Sequence, residues 1–432
     1  MTDSTPPTAN RLDRRQLLGA GSLAALGMLF GGDLVAEEFA PAPAPGDAGP
    51  VQPVGCAVIG LGEQGRALLG ALALAAGADV RRICDSYAGI RARSQELAPK
   101  AVAGGEAKEV FDDPAVQAVW IATPTHLHKD LVLAALAAGK HVYCEAPLAH
   151  TIDDARAIAV AAKAAEARGM VFHSGLQQRT NPQHLHVLHF VRAGALGRVA
   201  MGRSHWRRRT SWRRAAASDE RARALNWRLD PQLSSGLIGE IGIHQLDVAS
   251  WFLKGLPLAV SGLGSIRAWD DGRQVADTVQ ALVEYPDGVD VSYDATLANS
   301  FDGHADLFLG SDAAVMLRDH RAWMFKEADA AALGWEVYAY REKLGDETGI
   351  ALVADATKIL AAGKKPGENR EVDPHRTAPV TACEAFLEAI RRKQPSACDA
   401  LTGFQATVTA ITAHQAIATR SRIALKPEQF RL

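Results

Sequence analysis

The chain has 432 residues, of which 48% are hydrophobic and 22% are charged, and its formal net charge is −2 at pH 7. That length accommodates two or three domains, and the composition is typical of a globular protein. The near-neutral charge provides no global field that would favour nucleic acid or an anionic membrane. The five cysteines are scattered without a Cys-x-x-Cys spacing, so we expect buried thiols and no metal site.

The first fifty-three residues are predicted to be an export signal followed by a linker. Arg14 and Arg15 precede "QLLGAGSLAALGMLFGG", an apolar stretch that is too short to span a bilayer but has the layout of a signal. Paired arginines in this position are typical of the twin-arginine (Tat) pathway, which exports folded proteins. A Pro/Ala-rich segment follows and cannot form a core. We therefore expect a periplasmic protein, attached to a membrane only if the signal is not cleaved.

A glycine motif opens the first folded domain. Residues 54–59 form an apolar run that predicts a buried strand, and "RALLGALALAAG" after the motif predicts a helix. Glycines between a strand and a helix let backbone N–H groups approach a diphosphate. The residues of this turn are Gly60, Leu61, Gly62, Glu63, Gln64 and Gly65. A glycine-rich turn that binds no nucleotide is the alternative.

Asp85 ends the next predicted strand, twenty residues beyond Gly65. A carboxylate at that offset binds the diol of the adenosine ribose and repels a 2′-phosphate. We therefore predict NAD as the cofactor. Arg91 and Arg93 follow closely, so NADP is the second choice.

Two later strands deliver polar residues to the same edge of the predicted sheet. The predicted strand "AVQAVWIAT" (115–123) ends in "TPTHLH", which contains Thr123, Pro124 and His126. The run "HVYC" ends at Glu145. Because ligands of doubly wound sheets bind beyond the carboxyl ends of the strands, these four residues are predicted to lie at the cofactor.

Five segments, in order along the chain, resemble the Gfo/Idh/MocA family of sugar and cyclitol oxidoreductases. They are "VIGLGEQG", "IATPTHLHKDLVLAALAAGKHVYCEAPLA", "GLQQRTNP", "GALGRV" and "GEIGIHQLD". The resemblance implies an α/β protein with a Rossmann domain (residues 54–172) and a C-terminal α/β domain built on a large, mainly antiparallel open sheet (residues 173–432). It also implies a carbohydrate substrate, a cofactor contact at Gln177, and a sheet face suited to a homo-oligomer.

One position departs from the family. The strand-end motif of such proteins usually reads Glu-Lys-Pro, and the lysine helps hold the reacting hydroxyl, whereas this chain has Ala146 between Glu145 and Pro147. Alanine cannot donate a hydrogen bond or hold a proton. Proton transfer must therefore come from another residue.

The segment "GEIGIHQLD" offers that residue. On an α-helix, with 100° per residue, Glu240, His244 and Asp247 fall within about 60° of one another on a largely apolar helix. His244 is predicted to accept the proton and Glu240 to orient it. The resemblance supports both roles, although the family usually has aspartate where Glu240 stands. A purely structural Glu/His pair is the alternative.

Residues 203–228 contain nine arginines and three tryptophans. Trp206 and Arg207, together with Asp247, are predicted to contact substrate, because tryptophan stacks on sugar rings and arginine binds anions. A solvated surface segment is an equally good interpretation. RNA binding is disfavoured by the predicted export and the near-neutral charge.

These features favour an NAD-dependent oxidoreductase that removes hydride from a ring hydroxyl of a sugar, cyclitol or glycoside. The close rival is a redox-neutral, NAD-dependent glycoside hydrolase that oxidises, eliminates and reduces in one cycle. A non-catalytic sugar- or nucleotide-binding relative is the third alternative.

Overall fold

The computed structural model describes residues 51–332, 336, 339–354 and 373–432. The predicted export signal and most of the linker lie outside these residues. The described chain forms a parallel sheet flanked by helices and a larger mixed sheet. This arrangement confirms the predicted α/β fold class.

The first sheet has six parallel strands in the order β3-β2-β1-β4-β5-β6. Its strands are β1 (Val54–Ile59), β2 (Ala78–Cys84), β3 (Val102–Gly104), β4 (Ala118–Ile121), β5 (His141–Cys144) and β6 (Phe172–Ser174). Helices α1 (Glu63–Leu74), α2 (Ala88–Ser94), α3 (Ala107–Phe111), α4 (His128–Ala137) and α5 (Ile152–Glu166) connect them. The strand order reverses between β1 and β4, and this reversal opens a crevice at the carboxyl edge of the sheet.

The second sheet has ten strands in the order β14-β15-β13-β12-β11-β7-β10-β9-β8-β16. All its neighbours are antiparallel except β7 and β10. The strands are β7 (Val199–Arg207), β8 (Ala259–Ser265), β9 (Thr278–Glu284), β10 (Asp290–Thr296), β11 (His304–Gly310), β12 (Ala313–Arg318), β13 (Arg321–Lys326), β14 (Arg341–Leu344), β15 (Glu347–Leu352) and β16 (Ile423–Ala424).

Helices α6 (Pro182–Arg192), α8 (Ile243–Leu253) and α10 (Ala400–Thr419) pack on one face of this second sheet, and a π-helical turn at Ile238–Gly242 lies just before α8. Two further helices of this half of the chain are α7 (Asp219–Leu225) and α9 (Ala378–Arg392). A Cβ atom on Gly242 would meet the ring of Tyr293 on β10. We call the face of the sheet that carries Tyr293 the inner face.

The two halves of the chain share their cores. Helix α9 packs on the first domain, where Phe386 contacts Trp120 of β4 edge to face, with ring centroids 5.1 Å apart. Helix α10 packs against both α5 and β8. The end of the chain therefore holds the two sheets together, and the crevice of the first domain faces the π-turn and α8.

The five cysteines are free and buried, as the sequence predicted. Among residues 51–332, 336, 339–354 and 373–432, no helix is long and apolar enough to cross a membrane.

Candidate active site

The glycine turn has the shape that a bound diphosphate requires. Gly60 has φ +88°, and a Cβ there would lie 2.7 Å from backbone atoms of the β4 edge. A Cβ on Gly65 would lie 1.8 Å from the carbonyl oxygen of Gly60. A Cβ on Gly62, in contrast, would meet nothing within 4 Å. The outer two glycines allow close packing, whereas Gly62 faces open space in which a diphosphate fits.

Asp85 lies beside this turn. Its Oδ2 accepts a hydrogen bond from the Leu61 N–H at 2.9 Å, and its Oδ1 accepts one from the Tyr87 N–H at 2.9 Å. The carboxylate therefore joins the end of β2 to the glycine turn. This is the position predicted for a residue that binds the adenosine ribose.

Glu145 lies under the same turn. Gln64 Nε2 donates to Glu145 Oε1 at 3.0 Å, so the start of α1 and the end of β5 are linked. Burial raises the pKa of Glu145 to about 7. The site thus holds a buried carboxyl group that can change protonation near neutral pH.

Several buried polar atoms at this edge have no hydrogen-bond partner among the described residues. They are Thr123 Oγ1, His126 Nδ1, His150 Nδ1, Gln177 Oε1 and His244 Nδ1. Buried polar atoms are normally satisfied, and unsatisfied ones call for a ligand or water. The predicted residues Thr123, His126 and Gln177 are in this group, which agrees with a cofactor site here.

Glu240 connects the two domains. Thr125 Oγ1, in the strand-end motif after β4, donates to Glu240 Oε2 at 3.1 Å. The Ser235 hydroxyl and N–H donate to Oε1 at 3.1 and 3.3 Å. Arg228 Nε lies 3.8 Å from Oε2. Burial raises the pKa of Glu240, and the positive charge of Arg228 opposes that increase.

The prediction that Glu240 orients His244 is not supported by this geometry. Within the described part of the chain, the carboxylate bonds to Thr125 and Ser235 rather than to the imidazole. The reason is the π-turn at Ile238–Gly242. A π-turn takes i→i+5 hydrogen bonds and holds an additional residue, so the phase of a regular α-helix does not continue across it.

His244, the second residue of α8, is half-buried, and the loss of hydration around its ring lowers its pKa. The imidazole is therefore neutral at pH 7 and can accept a proton. Together, the buried carboxyl groups of Glu145 and Glu240 and the half-buried imidazole of His244 form a group of ionisable side chains around the crevice.

The three predicted substrate residues lie elsewhere or are already engaged. Both carboxylate oxygens of Asp247 accept hydrogen bonds from Arg179 at 2.8–3.1 Å. Arg207 donates to Asp294 at 2.8–2.9 Å on the outer face of the sheet, because odd-numbered residues of β7 point away from α8. Trp206 faces inward but packs against the hydrophobic core. These placements argue against substrate contacts by all three.

Trp227 and Arg228 are better candidates for the wall of the site. The Trp227 ring is 6.0 Å from that of His126. The Arg228 guanidinium lies 4.6 Å from the Trp227 ring centroid and 5.7 Å from that of Trp212. The sequence analysis identified this arginine- and tryptophan-rich segment, but it proposed Trp206 and Arg207 at its other end as the substrate contacts. It also missed Thr125 and Ser235, which lie inside or beside the motifs it had identified.

Comparison with known proteins identifies the family. Residues 54–173 match the model of the oxidoreductase family with an NAD-binding Rossmann fold. Residues 184–314 match the GFO/IDH/MocA C-terminal domain. These two matches cover more than half of the chain, which therefore belongs to the Gfo/Idh/MocA family and has an NAD-binding Rossmann domain.

Curated relatives include a levoglucosan dehydrogenase of Pseudarthrobacter phenanthrenivorans, 29% identical over 210 residues (44% of this chain and 51% of the relative). A 1,5-anhydro-D-fructose reductase of Ensifer adhaerens is 31% identical over 196 residues, 45% of this chain and 54% of the relative. A scyllo-inositol 2-dehydrogenase (NAD(+)) of Bacillus subtilis is 26% identical over 213 residues, 48% and 57% of the two chains. The chain thus matches about half the length of these relatives.

Among solved structures, a levoglucosan dehydrogenase in complex with NADH has a TM-score of 0.70 at 20% identity, covering 87% of this chain and 100% of that one. An aldose-aldose oxidoreductase from Caulobacter crescentus has a TM-score of 0.66 at 19% identity, with 87% and 100% coverage. At these identities the likeness establishes the shared fold.

Proposed function

We propose that the protein is an NAD-dependent oxidoreductase that oxidises a ring hydroxyl of a sugar, cyclitol or glycoside. The observation that carries the proposal is the half-buried, neutral His244 beside the crevice where the glycine turn and Glu145 meet. The names of the curated relatives, which act on an anhydrosugar, an anhydroketose and a cyclitol, support this substrate class.

In this proposal, His244 accepts the proton of the reacting hydroxyl through its unpartnered ring nitrogen. When bound, NAD supplies the hydride acceptor. Glu240, held by Thr125 and Ser235, offers its carboxyl group to a neighbouring hydroxyl of the ring and fixes the orientation of the sugar. The substrate loses one proton and one hydride and becomes a carbonyl compound.

The test is turnover by His244→Ala on a panel of anhydrosugars, cyclitols and glycosides. Turnover should fall by roughly 10²–10⁴-fold, the usual contribution of a positioned base. NAD affinity should be unchanged. His184→Ala is the matched control, because His184 is also half-buried with a lowered pKa but lies on α6 beside Phe252. Unchanged turnover in His244→Ala would overturn the assignment.

The same panel separates the two enzyme classes. Net NADH together with an oxidised sugar indicates the dehydrogenase. Release of an aglycone without net NADH, with uptake of solvent deuterium next to the oxidised carbon, indicates the redox-neutral glycoside hydrolase. NAD binding without turnover on any member would favour the non-catalytic relative.

We further propose export through the twin-arginine pathway, supported by Arg14 and Arg15 ahead of the apolar stretch. Replacing both arginines with lysine should leave a folded protein with bound NAD in the cytoplasm. A periplasmic location of this variant would contradict the proposal.

The outer face of the ten-stranded sheet supports the proposal of a homo-oligomer. Met201, Leu263 and Leu282 are 43–58% exposed on adjacent parts of this face, and exposed apolar patches mark interaction surfaces. Light scattering of the wild type and of Leu282→Lys should show a loss of the oligomer in the variant. A wild-type monomer would refute this proposal.

A further inference from the structure

The arginine-rich segment, residues 208–228, is fastened into a fixed loop. The Arg214 N–H donates to Asn226 Oδ1 at 2.7 Å, and Asn226 Nδ2 donates back to the Arg214 carbonyl at 3.0 Å. Arg213 Nε lies 3.0 Å from Asp271 Oδ2, which fastens the base of the loop to the second domain. The segment is therefore shaped by its own contacts rather than being an open, solvated excursion.

Two arginines of this segment contact the first domain. Arg214 forms an ion pair with Glu63, with 2.6 Å between the guanidinium nitrogen and Oε2. The Arg221 guanidinium lies over the ring of Tyr87, 4.0 Å from its centroid. Both contacts cross from the second domain to the surface around the glycine turn.

The positions of the two partners define what the segment covers. Glu63 follows Gly62 in the glycine turn and begins α1, where a diphosphate binds. Tyr87 is two residues beyond Asp85, and its N–H donates to that carboxylate. The two contacts therefore lie on either side of the stretch from the diphosphate position to the ribose position.

We propose that the arginine-rich segment is part of the dinucleotide site and holds NAD in place from outside. It forms an outer wall over the adenosine half of the cofactor, and Arg214 and Arg221 fasten that wall to the first domain. NAD leaves only after both contacts have opened, so the segment slows its release. The inference depends on NAD binding and is independent of the identity of the sugar.

The strength of this hold depends on salt. The Glu63–Arg214 pair is largely exposed, and exposed pairs are weak and screened by salt. The hold on NAD should therefore weaken as the ionic strength increases.

The test measures release of the cofactor from the full chain without any sugar. Protein loaded with NADH is mixed with excess NAD⁺, and the loss of bound NADH fluorescence gives the dissociation rate. Arg214→Ala and Arg221→Ala should each release NADH about three- to tenfold faster, as expected for one weak ion pair or one cation–π contact. The double variant should release it faster than either single variant.

Arg223→Ala is the matched control, because Arg223 is an exposed arginine on the same short helix, α7. It removes one positive charge but neither contact, so its NADH release should match that of the wild type. Glu63→Gln removes the same ion pair from the other domain. It should reproduce the Arg214→Ala rate, and combining the two substitutions should add nothing.

Three outcomes would overturn the inference. They are release from the double variant at the wild-type rate, equal acceleration by Arg223→Ala, and additive effects of Glu63→Gln and Arg214→Ala. Unfolding curves of the NAD-free variants exclude a general loss of stability as the cause. A failure to identify the sugar substrate does not affect any of these results.

Discussion

Gly62 and Gly65 respond to the same substitution in opposite ways, and this difference tests the cofactor site directly. At Gly62, with φ −60° and ψ −165°, an alanine Cβ would meet no atom within 4 Å. Replacing a glycine with alanine stabilises a folded protein by about 0.4–1 kcal/mol, because alanine gives the unfolded chain less conformational entropy to lose. Losing glycine at a helix N-cap costs a similar amount. We therefore expect the NAD-free Gly62→Ala protein to unfold within about 1 kcal/mol of the wild type.

The space that the new methyl group fills is the space proposed for the diphosphate. NAD at one hundred times its Kd stabilises a protein by about 2.7 kcal/mol. If Gly62→Ala raises the Kd at least tenfold, the same NAD concentration stabilises the variant by about 1.4 kcal/mol or less. Denaturant unfolding with and without NAD measures both quantities, and calorimetric titration gives the Kd independently.

Gly65→Ala is the contrasting variant. Its Cβ would lie 1.8 Å from the Gly60 carbonyl oxygen, so the backbone of the turn must move. Overpacking of this kind costs about 1–3 kcal/mol or more, and the loss should be present without NAD. If NAD stabilised Gly62→Ala as strongly as the wild type, the diphosphate would not lie at Gly62 and the site would have to be reassigned.

Three further predictions concern the carboxylates of Asp85, Asp247 and Glu145. Asp85→Ala should weaken binding of NAD more than of NADP in calorimetric titrations, and equal losses would contradict the ribose assignment. Arg179→Ala should cost about 3–5 kcal/mol of unfolding free energy because it leaves Asp247 buried and unpaired; adding Asp247→Asn should recover part of that cost, and no recovery would refute the pairing. Glu145, whose pKa rises from 4.5 to about 7 on folding, should make the protein less stable as the pH increases across that interval, because its carboxyl group ionises more easily in the unfolded chain. Glu145→Gln should remove up to about 3 kcal/mol of this decline, as measured by the pH dependence of unfolding, and an unchanged decline would argue against the raised pKa.

The cofactor half of the site was predictable because its rules are local. A glycine turn between a strand and a helix, a carboxylate at the next strand end and polar residues at the same sheet edge can all be recognised in short segments. Asp85 beside Leu61, and Glu145 beside Gln64, confirm that these segments meet as expected. The parallel sheet fixes which ends of the strands lie together.

The substrate half was less predictable because it depends on long-range packing. The Thr125–Glu240 hydrogen bond joins residues 115 positions apart, and no local pattern indicates it. The alternation along β7 does place Trp206 and Arg207 on opposite faces. The alternation could not show which of the two faces the helices cover. The sequence analysis also assumed a regular α-helix of 3.6 residues per turn, and that assumption gives no sign of the π-turn before α8.

The surroundings of the strand-end motif suit an alanine better than a lysine. Ala146 packs against a small apolar cluster that contains Leu176 and Ile243, the first residue of α8. The ammonium group of a lysine at position 146 would lose its hydration among these apolar residues and would find no hydrogen-bond partner among them. A positive charge does lie close to Glu240: Arg228 Nε is 3.8 Å from its carboxylate, and the guanidinium lies over the rings of Trp227 and Trp212. Because a guanidinium remains protonated at any working pH, Arg228 can orient an anionic or hydroxyl group but cannot exchange a proton. Under the proposed function, proton transfer is left to His244, whose imidazole is neutral at pH 7 and belongs to α8, the helix that follows the π-turn of Glu240.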